Sequence, residues 1–157
     1  MEFMSGIKNI KKINEFENKS LLIVDDDNPF RERLARAMEK KGFKVSQAEG
    51  VRTGIACVKK EKPAFAVVDL RLGDGNGLEV VKEIQNFNSK SRIIMLTGYG
   101  NIPTAVAAIK QGAIDYLSKP ANADDVESAL LADPNQKAAP PENPMSADRV
   151  KWEHIHR

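Results

Sequence analysis

The sequence is poor in the residues that mark secreted or membrane proteins. Its 157 residues include one cysteine, Cys57, so an internal disulfide is excluded and a reducing setting is favoured. No apolar run reaches about 18 residues, so no membrane span or secretory leader is predicted. The net charge is only +2, which predicts neither nucleic acid nor a membrane surface as a partner. We therefore expect a cytoplasmic protein built on one compact domain.

What the sequence does contain, from residue 20 onward, is a regular alternation of short apolar runs with amphipathic stretches. This alternation is typical of βαβ units around a parallel sheet, and it predicts an α/β fold. The first, third and fourth runs are continuously apolar, so we expect them at the centre of the sheet, covered on both faces. The five predicted strands are 21–24, 43–45, 65–68, 93–96 and 114–117.

Five helices are predicted between and after these strands from apolar residues at helical spacing. Asn28 is expected to cap the first helix, with Pro29 in its first turn and Gly42 beyond its end. Cys57 falls among apolar neighbours of the second helix, so we interpret it as a packed residue rather than a redox sensor. The predicted buried faces contain Phe30, Leu34, Ala37, Met38 and Phe43; Val51, Ile55 and Val58; Leu78, Val81 and Ile84; Ile102, Val106 and Ile109; and Val126, Leu130 and Leu131.

The segments outside this repeat have a different composition. Residues 1–19 are polar and rich in lysine and are predicted to form a loose arm, in which 1–3 is interpreted as a remnant of cloning. Residues 20–132 form the predicted domain. Residues 133–145 hold four of the 8 prolines and read as a linker, and 146–157 as the first turns of a truncated C-terminal domain.

Reactive side chains follow the predicted strands at the points where the strands end. Asp25, Asp26 and Asp27 follow the first strand, Asp69 the third, and Thr97 the fourth. Lys119 follows the fifth strand. Because ligands bind beyond the carboxyl ends of parallel strands, we expect these side chains to form one site. Single acidic residues at strand ends are often helix caps, but the whole set at one edge favours a functional site.

This combination of side chains predicts metal-assisted phosphoryl chemistry. Clustered carboxylates repel one another near neutral pH, and hard oxygen ligands of this kind favour Mg²⁺ in an open site. With Mg²⁺ held by Asp26 and Asp69, Asp69 can attack phosphorus while Lys119 offsets charge on the phosphoryl oxygens. Thr97 would then hydrogen-bond the bound phosphoryl group.

The ordered motifs resemble those of bacterial two-component response-regulator receivers over residues 20–132. That family has a flavodoxin-like fold, a doubly wound five-stranded parallel sheet flanked by five helices, with strand order 2-1-3-4-5. One departure is Gly73, where many receivers have proline. The motifs are IVDDD at 23–27, VVDLRL at 67–72, DGNGL at 74–78, LTGYG at 96–100 and DYLSKP at 115–120.

The resemblance implies a role for each matching residue. Asp69 would be the phosphoacceptor for a sensor histidine kinase, and Asp25 and Asp26 would bind Mg²⁺, with Asp26 the direct ligand. Arg71 would contribute its backbone carbonyl to the metal. Thr97 and Tyr116 would act as the switch, and a face made of the fourth helix, fifth strand and fifth helix would form a homodimer. The resemblance implies a switch rather than an enzyme, with only self-catalysed phosphotransfer and dephosphorylation.

A narrower similarity connects the chain to the RegA/PrrA/ActR group of redox-response regulators. It rests on DGNGL at 74–78, LTGYGNI at 96–102 and PPENPMSADRV at 140–150. Members of this group continue into a helix-turn-helix that regulates transcription. The resemblance therefore implies that DNA would be bound only through a C-terminal domain that this chain lacks.

Two other functions compete with this interpretation. A haloacid-dehalogenase-type phosphatase also uses a strand-end aspartate, Mg²⁺, threonine and lysine. It would need Asp25 and Asp27 as its nucleophile motif, but Pro29 stands where threonine or valine is required, and its second acidic pair could only be Asp124 and Asp125. A receiver-like scaffold that only dimerises is the third choice, because such proteins usually lose part of the acidic set.

Overall fold

The structure is a computed structural model that describes residues 12–98, 102–110, 112–113 and 115–132. The first element within these residues is a short 3-10 helix, Ile13–Glu15. The linker and C-terminal helix predicted for residues 133–157 lie outside the described residues. The strands are β1 (Ser20–Val24), β2 (Lys44–Ala48), β3 (Phe65–Asp69), β4 (Arg71–Leu72), β5 (Gly75–Asn76), β6 (Arg92–Thr97) and β7 (Asp115–Ser118), and the helices are α1 (Asn28–Lys40), α2 (Val51–Glu61), α3 (Gly77–Phe87), α4 (Ile102–Lys110) and α5 (Ala123–Leu131).

Five parallel strands form the main sheet in the order β2-β1-β3-β6-β7, which confirms the predicted fold and strand order. The three continuously apolar runs became β1, β3 and β6, the central strands, and their apolar residues are fully buried. Parallel strands run in the same direction, so their carboxyl ends meet at one edge. That edge carries the reactive residues identified in the sequence.

The core consists of one hydrophobic layer on each face of the sheet. Alternate strand residues such as Leu22, Val68 and Met95 pack with α2 and α3 on one face. Their neighbours, such as Ile23, Val67 and Leu96, pack with α1 and α5 on the other. The alternation follows from the two-residue period of a strand, and the two layers hold the strand ends rigidly in place.

The edge strand β2 and the first helix differ in detail from the prediction. β2 begins at Lys44 and extends to Ala48, because a half-exposed edge strand accepts the polar residues Ser46 and Gln47. Phe43 precedes the strand and stacks edge-on against Phe65, with ring centroids 5.3 Å apart. Asp27, rather than Asn28, caps α1 by accepting a hydrogen bond from the Phe30 amide.

The described part of the predicted loose arm is packed against the domain, which corrects that prediction. Ile13 is buried at the end of the α1 and α5 layer. Phe16 stacks edge-on against Phe65, with centroids 5.2 Å apart. The Arg92 guanidinium lies 5.3 Å above the Phe16 ring and donates hydrogen bonds to the carbonyls of Leu130 and Ala132. This contact joins the N-terminal segment to the end of α5.

A short antiparallel hairpin, β4 with β5, follows β3 and was not predicted from the sequence. Its turn lies beside the carboxyl edge of the sheet, since a Cβ on Gly73 would lie 3.6 Å from Asp26 Oδ2. None of the described helices has the length and hydrophobicity needed to cross a membrane.

Candidate functional site

Three carboxylates converge at the carboxyl edge of the sheet. Asp25 directly follows β1, and Asp69 is the last residue of the adjacent strand β3. Asp25, Asp26 and Asp69 can each direct an oxygen so that these atoms lie within 4.8 Å of one another. Asp25 is fully buried and Asp69 is 7% exposed, whereas Asp26 is exposed. Two carboxylates of the cluster are therefore buried at the ends of the strands, and the third leaves the cluster open to solvent on one side.

Lys119 completes the cluster as its cation. Its Nζ lies 3.0 Å from Asp25 Oδ2 and 3.1 Å from Asp69 Oδ2. The Lys119 amide donates to the Thr97 carbonyl at 2.8 Å, which fixes the loop after β7 against the end of β6. The ammonium also lies 5.0 Å from the centre of the Phe30 ring, a cation–π contact. These contacts direct the ammonium between two carboxylates.

The electrostatics of the cluster favour a further cation. Burial and then the charge of Asp25 raise the pKa of Asp69 to about 6, even though Lys119 acts in the opposite direction. Burial opposes the charged form of Lys119, yet contact with Asp25 and Asp69 raises its pKa. The buried Asp25 Oδ2 atom forms an ion pair with Lys119 but no hydrogen bond of good geometry. The cluster has three carboxylates and one ammonium, so negative charge is in excess when the carboxylates are ionised. The carboxylate oxygens are ligands of the kind that a divalent cation such as Mg²⁺ prefers.

The two predicted switch residues lie on the neighbouring strands rather than inside the carboxylate cluster. Thr97 is buried at the end of β6, and its hydroxyl donates to the Gly98 carbonyl at 3.1 Å. Tyr116 lies on β7 opposite Met95, with its side chain buried in the α2 and α3 layer. Thr97 therefore borders the cluster, and Tyr116 sits deeper along the next strand.

The hairpin after Asp69 is fixed at both ends. At its start, the Arg71 amide lies 3.3 Å from Asp69 Oδ1 and donates to it. Asp74 accepts hydrogen bonds from the Val51 and Arg52 amides at 2.7 and 3.1 Å, so it caps α2 from a distant part of the chain. These bonds lower the pKa of Asp74. At the hairpin's end, a Cβ on Gly77 would lie 2.2 Å from the Asp69 carbonyl oxygen, so only glycine fits there.

Comparison with known proteins identifies the family. The sequence model of the response regulator receiver domain family matches residues 21–131 of this chain. This chain belongs to the response regulator receiver family. Like other receivers, it is a switch domain of two-component signalling rather than an enzyme of the ordinary kind.

Full-length regulators with similar sequences include two that cover most of this receiver. The acid tolerance regulatory protein ActR of Sinorhizobium medicae is 61% identical over 140 residues, which span 89% of this chain and 72% of that protein. The photosynthetic apparatus regulatory protein RegA of Rhodobacter capsulatus is also 61% identical over 140 residues, spanning 89% of this chain and 76% of that protein. These matches confirm the narrower resemblance.

A crystal structure of a response regulator from Burkholderia pseudomallei has the same fold as this receiver. The two share 36% sequence identity and a TM-score of 0.72, and the match covers 89% of this chain and 83% of that one. That structure contains a phosphorylated aspartic acid, a calcium ion and citrate. The flavodoxin-like fold predicted from the motifs is therefore confirmed.

The phosphatase alternative has no support in the described site of this receiver. Asp124, one of the two acidic residues that a phosphatase would need beside its nucleophile, instead pairs with Lys41 at 2.6 Å. Asp27 serves as the cap of α1. Neither residue joins the carboxylate cluster.

One residue beside the receiver's cluster was missed from the sequence. Arg31 is 9% exposed and its guanidinium contacts the loop that carries Asp25. Its spacing was the available signal, because Arg31, Leu34, Ala35 and Met38 follow the buried face of α1. An arginine on an apolar stripe indicates a charge held by specific partners.

Proposed function

We propose that Asp69 accepts a phosphoryl group from the phosphohistidine of a sensor histidine kinase, with Mg²⁺ bound beside it. The observation that carries this proposal is the convergence of Asp25, Asp26 and Asp69 within 4.8 Å, with Lys119 Nζ 3.1 Å from Asp69. Family membership supplies the class of partner. The phosphorylated aspartic acid and calcium ion of the similar crystal structure support the same chemistry.

In the proposed reaction, a carboxylate oxygen of Asp69 attacks the phosphorus atom. A new phosphorus–oxygen bond forms as the phosphorus–nitrogen bond to the kinase histidine breaks, and the freed ring nitrogen takes up a proton. Lys119 stabilises negative charge that develops on the phosphoryl oxygens. The same site would take phosphoryl from a small donor and would later release it to water, so both steps are self-catalysed.

The metal would be held by carboxylates on two adjacent strands. Asp26 and Asp69 would be direct ligands, Asp25 would support the site from its buried position, and the Arg71 carbonyl would add a ligand from the hairpin. Bound Mg²⁺ would neutralise the phosphoryl oxygens and align them for attack. The exposed side of Asp26 leaves room for the water molecules that Mg²⁺ retains.

Phosphorylation would be reported to partners through Thr97 and Tyr116. The Thr97 hydroxyl would leave the Gly98 carbonyl for the phosphoryl group, and Tyr116 would follow on the adjacent strand. The expected homodimer face consists of α4, β7 and α5. A stable beryllofluoride complex should change the sedimentation coefficient in wild type but not in Thr97→Ala, and an unchanged wild-type coefficient would rule out this face.

The output of the switch is proposed to be transcription through a C-terminal helix-turn-helix domain. The regulatory names of ActR and RegA support this output. A cytoplasmic location and the domain boundaries stay predictions, whereas Cys57 is half-buried and packs against the α2 and α3 layer, as the sequence predicted.

The experiment that tests the proposed function is phosphorylation by acetyl phosphate, followed by intact mass spectrometry. Wild type should gain one phosphoryl group with Mg²⁺ and none after chelation of the metal. Asp69→Ala should gain none, whereas the control Asp27→Asn, which keeps a capping side chain on α1, should behave as wild type. Metal-independent labelling, or labelling of Asp69→Ala, would refute the proposal. Turnover of p-nitrophenyl phosphate would instead indicate a phosphatase.

A further inference from the structure

We infer that Arg31 is a positioning residue for the metal site, because its buried guanidinium holds the backbone of the loop that carries Asp25 and Asp26. The inference rests on the proposed function and extends it to a residue outside the carboxylate cluster. Arg31 would not touch the metal. It would act through the peptide that fixes where the two carboxylates point.

Arg31 donates hydrogen bonds to three residues that lie on separate elements around the site. Nη1 donates to the Asp25 backbone carbonyl at 2.8 Å and to Asn28 Oδ1 at 2.6 Å. Nε donates to Gln47 Oε1 at 2.9 Å. The guanidinium therefore joins the end of β1 to the first turn of α1 and to β2. Its planar fork of donors suits several fixed acceptors at once.

Both backbone polar groups of Asp25 are held by hydrogen bonds. The Asp25 amide donates to the Ala48 carbonyl at 3.1 Å, and the Asp25 carbonyl accepts from Arg31. The next residue is Asp26, whose side chain is exposed and has less packing to orient it. A shift of the peptide between these residues would therefore move both carboxylates relative to Asp69.

A purely electrostatic role predicts the opposite effect on metal binding. The hydrogen bonds of Arg31 go to neutral oxygens, and its acidic neighbour, Glu32, lies 3.9 Å away and is exposed. A positive charge near a cation site repels the cation. If charge alone mattered, removing the Arg31 guanidinium would tighten Mg²⁺ binding. If Arg31 positions the loop, removing it weakens binding, as loss of outer-shell support does at other metal sites.

The test is the Mg²⁺ dissociation constant of Arg31→Gln, measured by isothermal titration calorimetry on protein that shows a cooperative thermal unfolding transition. We expect binding roughly 10-fold weaker than in wild type. The control is Arg36→Gln, which removes an exposed charge from the same helix and should leave affinity within about 2-fold. Equal or tighter binding in folded Arg31→Gln would overturn the inference. Absence of Mg²⁺ binding in wild type would instead refute the proposed metal site itself.

A second variant and a second readout cover the case in which Arg31→Gln does not fold. Gln47→Ala removes only the acceptor of Arg31 Nε, and we expect Mg²⁺ binding a few-fold weaker; unchanged affinity there would count against the inference.

Phosphoryl uptake from acetyl phosphate gives the second readout. In Arg31→Gln, or in Gln47→Ala if only that variant folds, the half-saturating Mg²⁺ concentration should rise while the rate at saturating Mg²⁺ is retained. A lower rate at every Mg²⁺ concentration would indicate a general structural defect and overturn the positioning role.

Discussion

Replacing Asp69 with asparagine is expected to make the metal-free domain more stable near neutral pH. Burial and the charge of Asp25 raise the pKa of Asp69 from 3.8 to about 6, so folding favours the protonated, neutral carboxyl. A rise of about two in pKa corresponds to about 3 kcal/mol once the group is ionised in both states. Asparagine resembles the neutral carboxyl in shape. We therefore expect Asp69→Asn to gain about 1–3 kcal/mol in the free energy of unfolding.

The pH dependence of this gain follows from the direction of the pKa change. The folded protein binds more protons than the unfolded chain between about pH 4 and 6, so wild type loses stability as the pH rises through that range. Asp69→Asn lacks this loss. The advantage of the variant should be fully present above about pH 6 and should disappear below about pH 4.

Urea unfolding followed by circular dichroism across this pH range measures the effect. Asp27→Asn is the matched control, since either side chain caps a helix, and its stability should stay within about 0.5 kcal/mol of wild type. Added Mg²⁺ should stabilise wild type more than Asp69→Asn and so reduce the difference. If Asp69→Asn is less stable than wild type near neutral pH without metal, burial and the charge of Asp25 do not disfavour the ionised Asp69 carboxylate as described.

Three further perturbations test other parts of the structure. Gly77→Ala should lower the free energy of unfolding by about 1–3 kcal/mol in urea, because its Cβ would overlap the Asp69 carbonyl; an unchanged value would contradict that close approach. Asp74→Ala should speed amide hydrogen exchange at Val51 and Arg52, whose amides donate to Asp74. Because folding lowers the pKa of Asp74, the protection of these two amides in wild type should decline in acid and vanish below the pKa of Asp74 in the folded protein. Phe16→Ala should cost about 1 kcal/mol or more through lost contact with Phe65, and a value near zero would mean that the N-terminal segment does not stabilise the domain.

The parts of the fold and site that the sequence predicted share one physical basis. Continuous apolar runs occur where strands are covered on both faces, so β1, β3 and β6 were recognised with small errors at their ends. Parallel topology then brings the ends of those strands together. Asp25, Asp69 and Lys119 were grouped correctly because each stands at the carboxyl end of a parallel strand and these ends meet at one edge.

The features that were missed depend on contacts rather than on periodicity. The hairpin β4–β5 is too short and too rich in glycine to have a pattern of its own. Asp74 caps a helix more than 20 residues earlier in the chain, and sequence spacing does not reveal that contact. Arg31 occupies a position on the buried face of α1, where the helical pattern predicts an apolar residue. Phe16 belongs to a polar segment whose few apolar residues reach the core individually.

The central claim is that Asp69 is the residue that carries the phosphoryl group. The most direct measurement is to phosphorylate wild type with acetyl phosphate and Mg²⁺, reduce the acyl phosphate with borohydride, and map the product by peptide mass spectrometry. The reduction converts a phosphorylated aspartate to homoserine. We predict homoserine at position 69, in an amount that matches the phosphorylated fraction. Homoserine at position 25 or 26, or phosphorylation that leaves position 69 unmodified, would contradict the account.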